Sequence, residues 1–168
     1  VAMGITGTDV SKEAADMVLT DDNYASIVAA VEEGRIIYAN IRKFVFYLLS
    51  CNVAEILIIF LAMLAGLPLP LTAIQLLILN LITDGAPALA LGMEQGDPDV
   101  MKRPPRPTNE PVINREMQVG ILVQSIVITT AVLGVFLIGL TWYGTTGHGL
   151  NIAETMAFST LSISELFR

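Results

Sequence analysis

Three carboxylates stand alone inside apolar stretches of this chain, and their isolation limits the chemistry open to them. Glu55 is the only charged residue between Phe44 and Leu67, within YLLSCNVAEILIIF. Asp84 is the only one between Leu67 and Met93, within LLILNLITDGAPALALG, and Glu165 lies in a third apolar stretch, TMAFSTLSISELF. A charge at bilayer depth costs ~2.5 kcal/mol or more, so it marks an ion or proton path by default. Asn52 precedes Glu55 by three residues, and Asn80, Thr83 and Asp84 fall at i, i+3 and i+4, so each group shares a helix face. Hard cations such as Ca²⁺ take roughly six to eight oxygens from carboxylates, amides and carbonyls. The donors here are all oxygen, and the lack of a His or Cys cluster disfavours zinc or copper. Gly85 and Pro87 follow Asp84 directly. Proline removes a backbone donor and crowds the preceding turn. Local unwinding is therefore expected there, freeing carbonyls that are tolerated at membrane depth where they line a cavity.

The blander readings are weaker for most of these positions. A buried carboxylate can be a structural hydrogen-bonding group, and Asn52, Asn80 or Thr83 alone would serve as glue between helices. Their spacing beside carboxylates favours ligands. For Glu165 the competing reading is an ion pair with Arg168, three residues on. Cys51 reads as a small packing residue, and His148 as an exposed loop residue with no specific role.

These residues need elements to hold them, and the composition says which kind. Hydrophobic residues make up 54% of the chain and charged ones 15%, a balance that soluble domains rarely reach. A net charge of −7 argues against a nucleic-acid partner and leaves membrane lipid as the surroundings. The single cysteine excludes an internal disulfide framework. No signal peptide is expected, because the first long apolar run begins near Phe44. The chain reads as a piece of a larger protein, since it starts without methionine and stops inside an apolar stretch.

The expected fold class is mainly α: a polytopic transmembrane helical bundle of about four spans, with a short α/β remnant at the N-terminus. A span needs ~20 mostly apolar residues. The spans are placed at about 43–66, 71–93, 117–143 and 151–168. Every Lys and Arg except Arg168 lies before the first span or between the second and third. The positive-inside rule therefore puts the N-terminal end and the 94–116 loop in the cytoplasm. Trp142 and Tyr143 end the third span, either as an interfacial anchor or as ordinary packing.

Residues 1–23 have another character: VAMGI and DMVLTD read as short strands, with a helical turn in DVSKEAAD between them. From about residue 24 the spacing of Ile27, Val28, Val31, Ile36, Ile37 and Ile41 predicts a helix capped by Asp22 or Asn23. No proline interrupts residues 1–67, so this stalk over 24–43 is expected to run on into the first span. A rod of 40 residues would be about 60 Å long, with Gly34 its weakest point.

The residues resemble one family over almost the whole chain. NLITDGAPALALG followed by GDPDVMKRPPRP resembles the sixth transmembrane helix and next loop of P-type calcium ATPases of the sarcoplasmic-reticulum type. YLLSCNVAE resembles their fifth helix, and VAMGITGTDVSKEAADMVLTDDNYASIVAAVEEGR resembles the end of their phosphorylation domain, a HAD-like domain. The resemblance implies that Asn52, Glu55, Asn80, Thr83, Asp84 and Glu165 are calcium ligands, with Asp84 bridging two ions. Secretory-pathway and plasma-membrane calcium pumps carry methionine where Thr83 stands, and sodium/potassium pumps carry aspartate where Asn80 stands. It implies the cation-binding part of an ATP-driven translocase that exports Ca²⁺ from the cytoplasm. Separately, three carboxylates left together in an apolar site once the ion leaves are expected to take up protons, so that protons move the other way. The phosphorylated aspartate, the nucleotide site and hence Mg²⁺ and ATP belong to parts of such pumps not found in this sequence. No catalytic residue is assigned here, this segment alone is expected to be inactive, and its partners would be the remaining domains and helices of the same pump. The alternatives are a P-type pump for Na⁺ or Mn²⁺, or a non-catalytic membrane bundle or channel. A channel usually needs a symmetric ring of charges, unlike carboxylates on different helices of one chain.

Overall fold

The protein is described by a computed structural model over residues 1–107 and 110–167. Two compact units are present: Val1–Asn40 with Gln95–Arg106, and Ile41–Glu94 with Pro107–Arg168.

In the first unit, strands β1 (Ala2–Met3) and β2 (Val18–Leu19) pair in parallel, joined through helix α1 (Asp9–Glu13). Gly4 is required by close approach, since a Cβ there would lie 2.7 Å from the Leu19 carbonyl oxygen. Asp22 adopts a left-handed backbone (φ 52°), a conformation that Asp tolerates better than most residues. Its carboxylate accepts from the Ile5 and Thr6 amides, both at 2.8 Å, and from Thr6 Oγ1 at 2.7 Å. Those bonds, the Ile5 amide first, hold its pKa below the usual 3.8. Of the two expected caps, Asn23 does the work: its Oδ1 accepts from the Ala25 amide at 3.0 Å, while Asp22 is spent on the loop after β1.

Helix α2 runs unbroken from Ala25 to Leu64 and passes through Gly34. Within the first unit it holds the 95–106 segment. Arg35 Nη1 donates to the Val100 and Arg103 carbonyls at 3.0 and 2.8 Å, and the Arg106 guanidinium lies 3.8 Å over the Tyr38 ring. Lys102 pairs with Asp99 and Arg103 with Asp97 at the surface.

In the second unit the chain turns at Gly66 (φ 68°) and re-enters a helix at Thr72, which forms a capping box with Gln75. That helix comprises α3 (Ala73–Ile78), a π-helical segment (Leu79–Asp84) and α4 (Gly85–Gly92). A short 3₁₀ turn, Val100–Lys102, belongs to the first unit. Asn114 caps helix α5 (Arg115–Tyr143), accepting from the Met117 amide at 2.9 Å, and α6 covers Gly147–Leu166.

The core joins these helices through Ala54, Ile58, Leu71, Leu79, Ile128, Val132, Phe136, Leu140, Ala153, Ala157 and Leu161. Small residues set the spacing, as they do wherever membrane helices pack without a hydrophobic drive. A Cβ on Gly139 would come within 2.9 Å of Ala153. Ser125 Oγ and Thr129 Oγ1 donate across to the Ser50 and Ala54 carbonyls at 3.0 and 3.4 Å.

Among the described residues, three helices are long and apolar enough to cross a membrane by length and composition: Ala25–Leu64, Ala73–Gly92 and Arg115–Tyr143. Helix α6, expected as a fourth span, is long enough but richer in hydroxyls. Those hydroxyls are turned inward: Thr155, Thr160, Ser162 and Ser164 each donate to the carbonyl four residues earlier. Trp142 is 74% exposed and Tyr143 51%, so neither packs in the core of this chain. His148 sits in the first turn of α6 rather than in a loop, and is exposed.

Candidate functional site

Helix α2 buries one stripe in the second unit: Cys51, Ala54, Glu55, Ile58 and Ala62. Their spacing of three and four residues is that of a single helix face. Asn52, next to Cys51, is turned about 100° away from it. Its amide donates back to the Leu48 carbonyl at 2.8 Å, and the residue is half-buried.

The facing element is irregular. Pro87 has no amide to give the Thr83 carbonyl four residues before it. The Tyr47 hydroxyl, reaching over from α2, donates to that carbonyl at 2.8 Å. The Thr83 hydroxyl in turn donates to the Leu79 carbonyl at 2.9 Å. The expected unwinding is replaced by π-helical turns over Leu79–Asp84. The reason is physical: away from water an unpaired backbone group costs several kcal/mol, and a π turn takes up the disturbance while keeping backbone bonds.

These turns bring the carboxylates together in two groups. The Asn80 amide donates to both oxygens of Glu55, at 3.2 and 2.9 Å, linking the π segment to α2. It also donates to the Leu76 carbonyl at 3.0 Å. One turn away, Cys51 Sγ and one carboxylate oxygen each of Asp84 and Glu165 lie within 4.8 Å of one another. These three side chains, from α2, the π segment and α6, are 0%, 2% and 1% exposed. The Tyr47 hydroxyl stands beside them, 3.4 Å from the Glu165 carbonyl oxygen.

Of the six expected ligands, Glu55 with Asn80 and Asp84 with Glu165 are brought into these groups. Thr83 is buried beside them through its carbonyl bond to Tyr47, and Asn52 is turned onto its own helix. The alternative pairing of Glu165 with Arg168 lies outside the described residues. Cys51, read from the sequence as a small packing residue, is fully buried, and its sulfur shares the space of two buried carboxylates. Its position four residues before Glu55 was the available signal. Only the approach of α6 turns that spacing into a cluster.

Chemically, such an arrangement offers acceptor oxygens and one sulfur in a water-poor interior, which suits holding a cation. A family described as "Cation transporting ATPase, C-terminus" matches residues 68–168. Among similar proteins, a "Calcium-transporting ATPase" of Bacillus subtilis is 51% identical over 99% of this chain and 18% of its own length. A "Calcium-transporting ATPase 1" of Bacillus cereus is 49% identical over 99% of the chain and 20% of its own length. A "P-type sodium-transporting ATPase4" of Toxoplasma gondii is 57% identical over 69% of the chain and 9% of its own length. The chain thus spans a fifth or less of the length of these relatives. With apolar helices of spanning length and a family match over more than half its residues, the chain is an integral membrane protein and belongs to the cation-transporting ATPases.

Proposed function

We propose that this chain forms the cation-binding membrane part of an ATP-driven P-type pump that exports Ca²⁺ from the cytoplasm. Asn52, Glu55, Asn80, Thr83, Asp84 and Glu165 are its ligands, and ATP and Mg²⁺ act through parts of the pump outside these residues. The observation that carries the reading is that buried carboxylates from three elements fall in two neighbouring groups, Glu55 of α2 bonded by Asn80, and Asp84 of the π segment beside Glu165 of α6. Relatives named as calcium-transporting ATPases over 99% of the chain support calcium as the cargo. The basic residues before the first span and in the 94–116 loop support a cytoplasmic location for the N-terminal end and that loop. The 24–43 stretch then serves as a stalk, continuous with the first span in α2, that carries motion from a phosphorylation domain ending near residue 23.

Removing Ca²⁺ would leave three bare carboxylates close together in a low-dielectric site, an unfavourable state. Protons replace the cation on the return step, so the pump exchanges protons for Ca²⁺. The test is ATP-dependent ⁴⁵Ca²⁺ uptake by the full-length protein in sealed proteoliposomes with a lumenal pH dye. Uptake with a rise in lumenal pH is expected. Absence of uptake would sink the calcium reading, and uptake without a pH change would sink the exchange. The sodium-transporting relative motivates the second reading, and ²²Na⁺ uptake in the same vesicles without calcium uptake would favour it.

A further inference from the structure

The sulfur in the site changes which ions it can hold. Cys51 is fully buried, and its Sγ lies within 4.8 Å of carboxylate oxygens from both Asp84 and Glu165. A four-coordinate ion bonded at about 2.3 Å to sulfur and about 2.1 Å to oxygen holds these atoms about 3.6 Å apart. The three atoms thus need only small side-chain shifts to share one ion. Hard cations gain little from sulfur and take oxygen ligands, whereas thiolate favours soft and borderline ions such as zinc. The three ligands come from three separate elements of one unit, α2, the π segment and α6. Tyr47, one turn before Cys51, closes the neighbouring space through its bond to the Thr83 carbonyl.

We propose that Cys51, Asp84 and Glu165 form a mixed thiolate–carboxylate site for a zinc-class divalent cation, which binds there in competition with the transported ion. On binding, the Cys51 S–H bond breaks, a sulfur–metal bond forms and the proton leaves to the medium. The inference deepens the calcium reading and rests on it for Asp84 and Glu165. Such an ion acts as an inhibitor: it engages a ligand that calcium does not use and holds α2, the π segment and α6 together.

The test uses Cd²⁺ alone as the probe, because cadmium–thiolate bonds give a charge-transfer absorbance in the ultraviolet. Purified full-length pump without ATP is titrated with Cd²⁺, and bound ⁴⁵Ca²⁺ is measured in the same samples. Cys51→Ser and Cys51→Ala isolate this thiol from any other cysteine of the full-length protein. We expect a band in the wild type that is missing in both variants and is removed by excess Ca²⁺. The Cd²⁺ concentration that displaces half the calcium should rise roughly 10–100-fold in the variants, the loss typical when even an outer partner of a metal ligand is removed. Equal spectra in wild type and variants, or a Cys51-dependent band indifferent to calcium, would overturn the proposal. Should both variants fail to fold, wild-type displacement of calcium by Cd²⁺ without any thiolate band would overturn it as well. Calcium binding and uptake with no Cys51-dependent band rejects the thiolate site alone. A Cys51-dependent band in a protein that neither binds nor transports calcium rejects the calcium reading instead.

Discussion

Asp22 and Asp84 are the same side chain put to opposite uses. Asp22 sits at the surface of the first unit and is satisfied by three local donors, so it works as a staple between a loop and a turn. Asp84 sits in the second unit, 2% exposed, with the sulfur of Cys51 and an oxygen of Glu165 near its own oxygens. In water a carboxylate is easily replaced by another polar group. In an apolar interior it persists only if its charge is used, because its burial is costly unless compensated.

The largest effect that can break this contrast is expected at the buried aspartate. Asp84→Asn in the full-length pump should abolish calcium-dependent phosphorylation from ATP, and retained high-affinity calcium activation would show that Asp84 is not a ligand. Next comes the seam where α5 packs on α6. Gly139→Leu must force α5 and α6 apart at Ala153, whereas Gly134 has open space where a Cβ would go. Overpacking costs about 1–3 kcal/mol, so Gly139→Leu should lower thermal stability in detergent while Gly134→Ala should not. Equal behaviour of the two would mean that the seam does not set the spacing.

Tyr47→Phe sharpens the comparison from the backbone side. It removes the donor that replaces the missing amide of Pro87 at the Thr83 carbonyl. One hydrogen bond is worth about 1 kcal/mol, or roughly fivefold in affinity. A modest weakening of calcium activation is expected, and restoration of the amide in Tyr47→Phe/Pro87→Ala should not be equivalent if the π turn itself shapes the site.

The smallest effect is expected at Asp22, in acid. Its folded pKa lies below the ordinary 3.8, lowered first by the bond from the Ile5 amide. The unfolded chain therefore binds the proton more readily. The contribution of Asp22 is complete above pH 3.8 and fades as pH falls through the lower, folded value. Proteolysis of the 1–24 region should increase only in that acid range, and Asp22→Asn should be cleaved to the same extent at neutral and acid pH. A wild-type profile flat below pH 3.8 would remove Asp22 as the staple.

Much of this could be read from residue order because it follows from periodicity and transfer energy. The apolar runs, the lone carboxylates and the strand–turn–strand start all depend on neighbours within a few residues. Each half of the Glu55–Asn80 bond lies in such a pattern, but their meeting is a contact between two helices that residue order did not name. The π turn was not legible: Pro87 announces a disturbance, but whether backbone bonds break or shift depends on a donor from another helix, here Tyr47. Asn52 shows the converse, since spacing placed it with Glu55 while its amide turned to Leu48.

By itself, then, the sequence determined that this chain has apolar helices of spanning length and that three carboxylates stand alone in its apolar stretches, where the cost of burying charge is local and large. Only the tertiary structure decided which groups meet. The sulfur of Cys51 lies near Asp84 across 33 residues and near Glu165, through the packing of α6, across 114, and no local rule encodes those approaches.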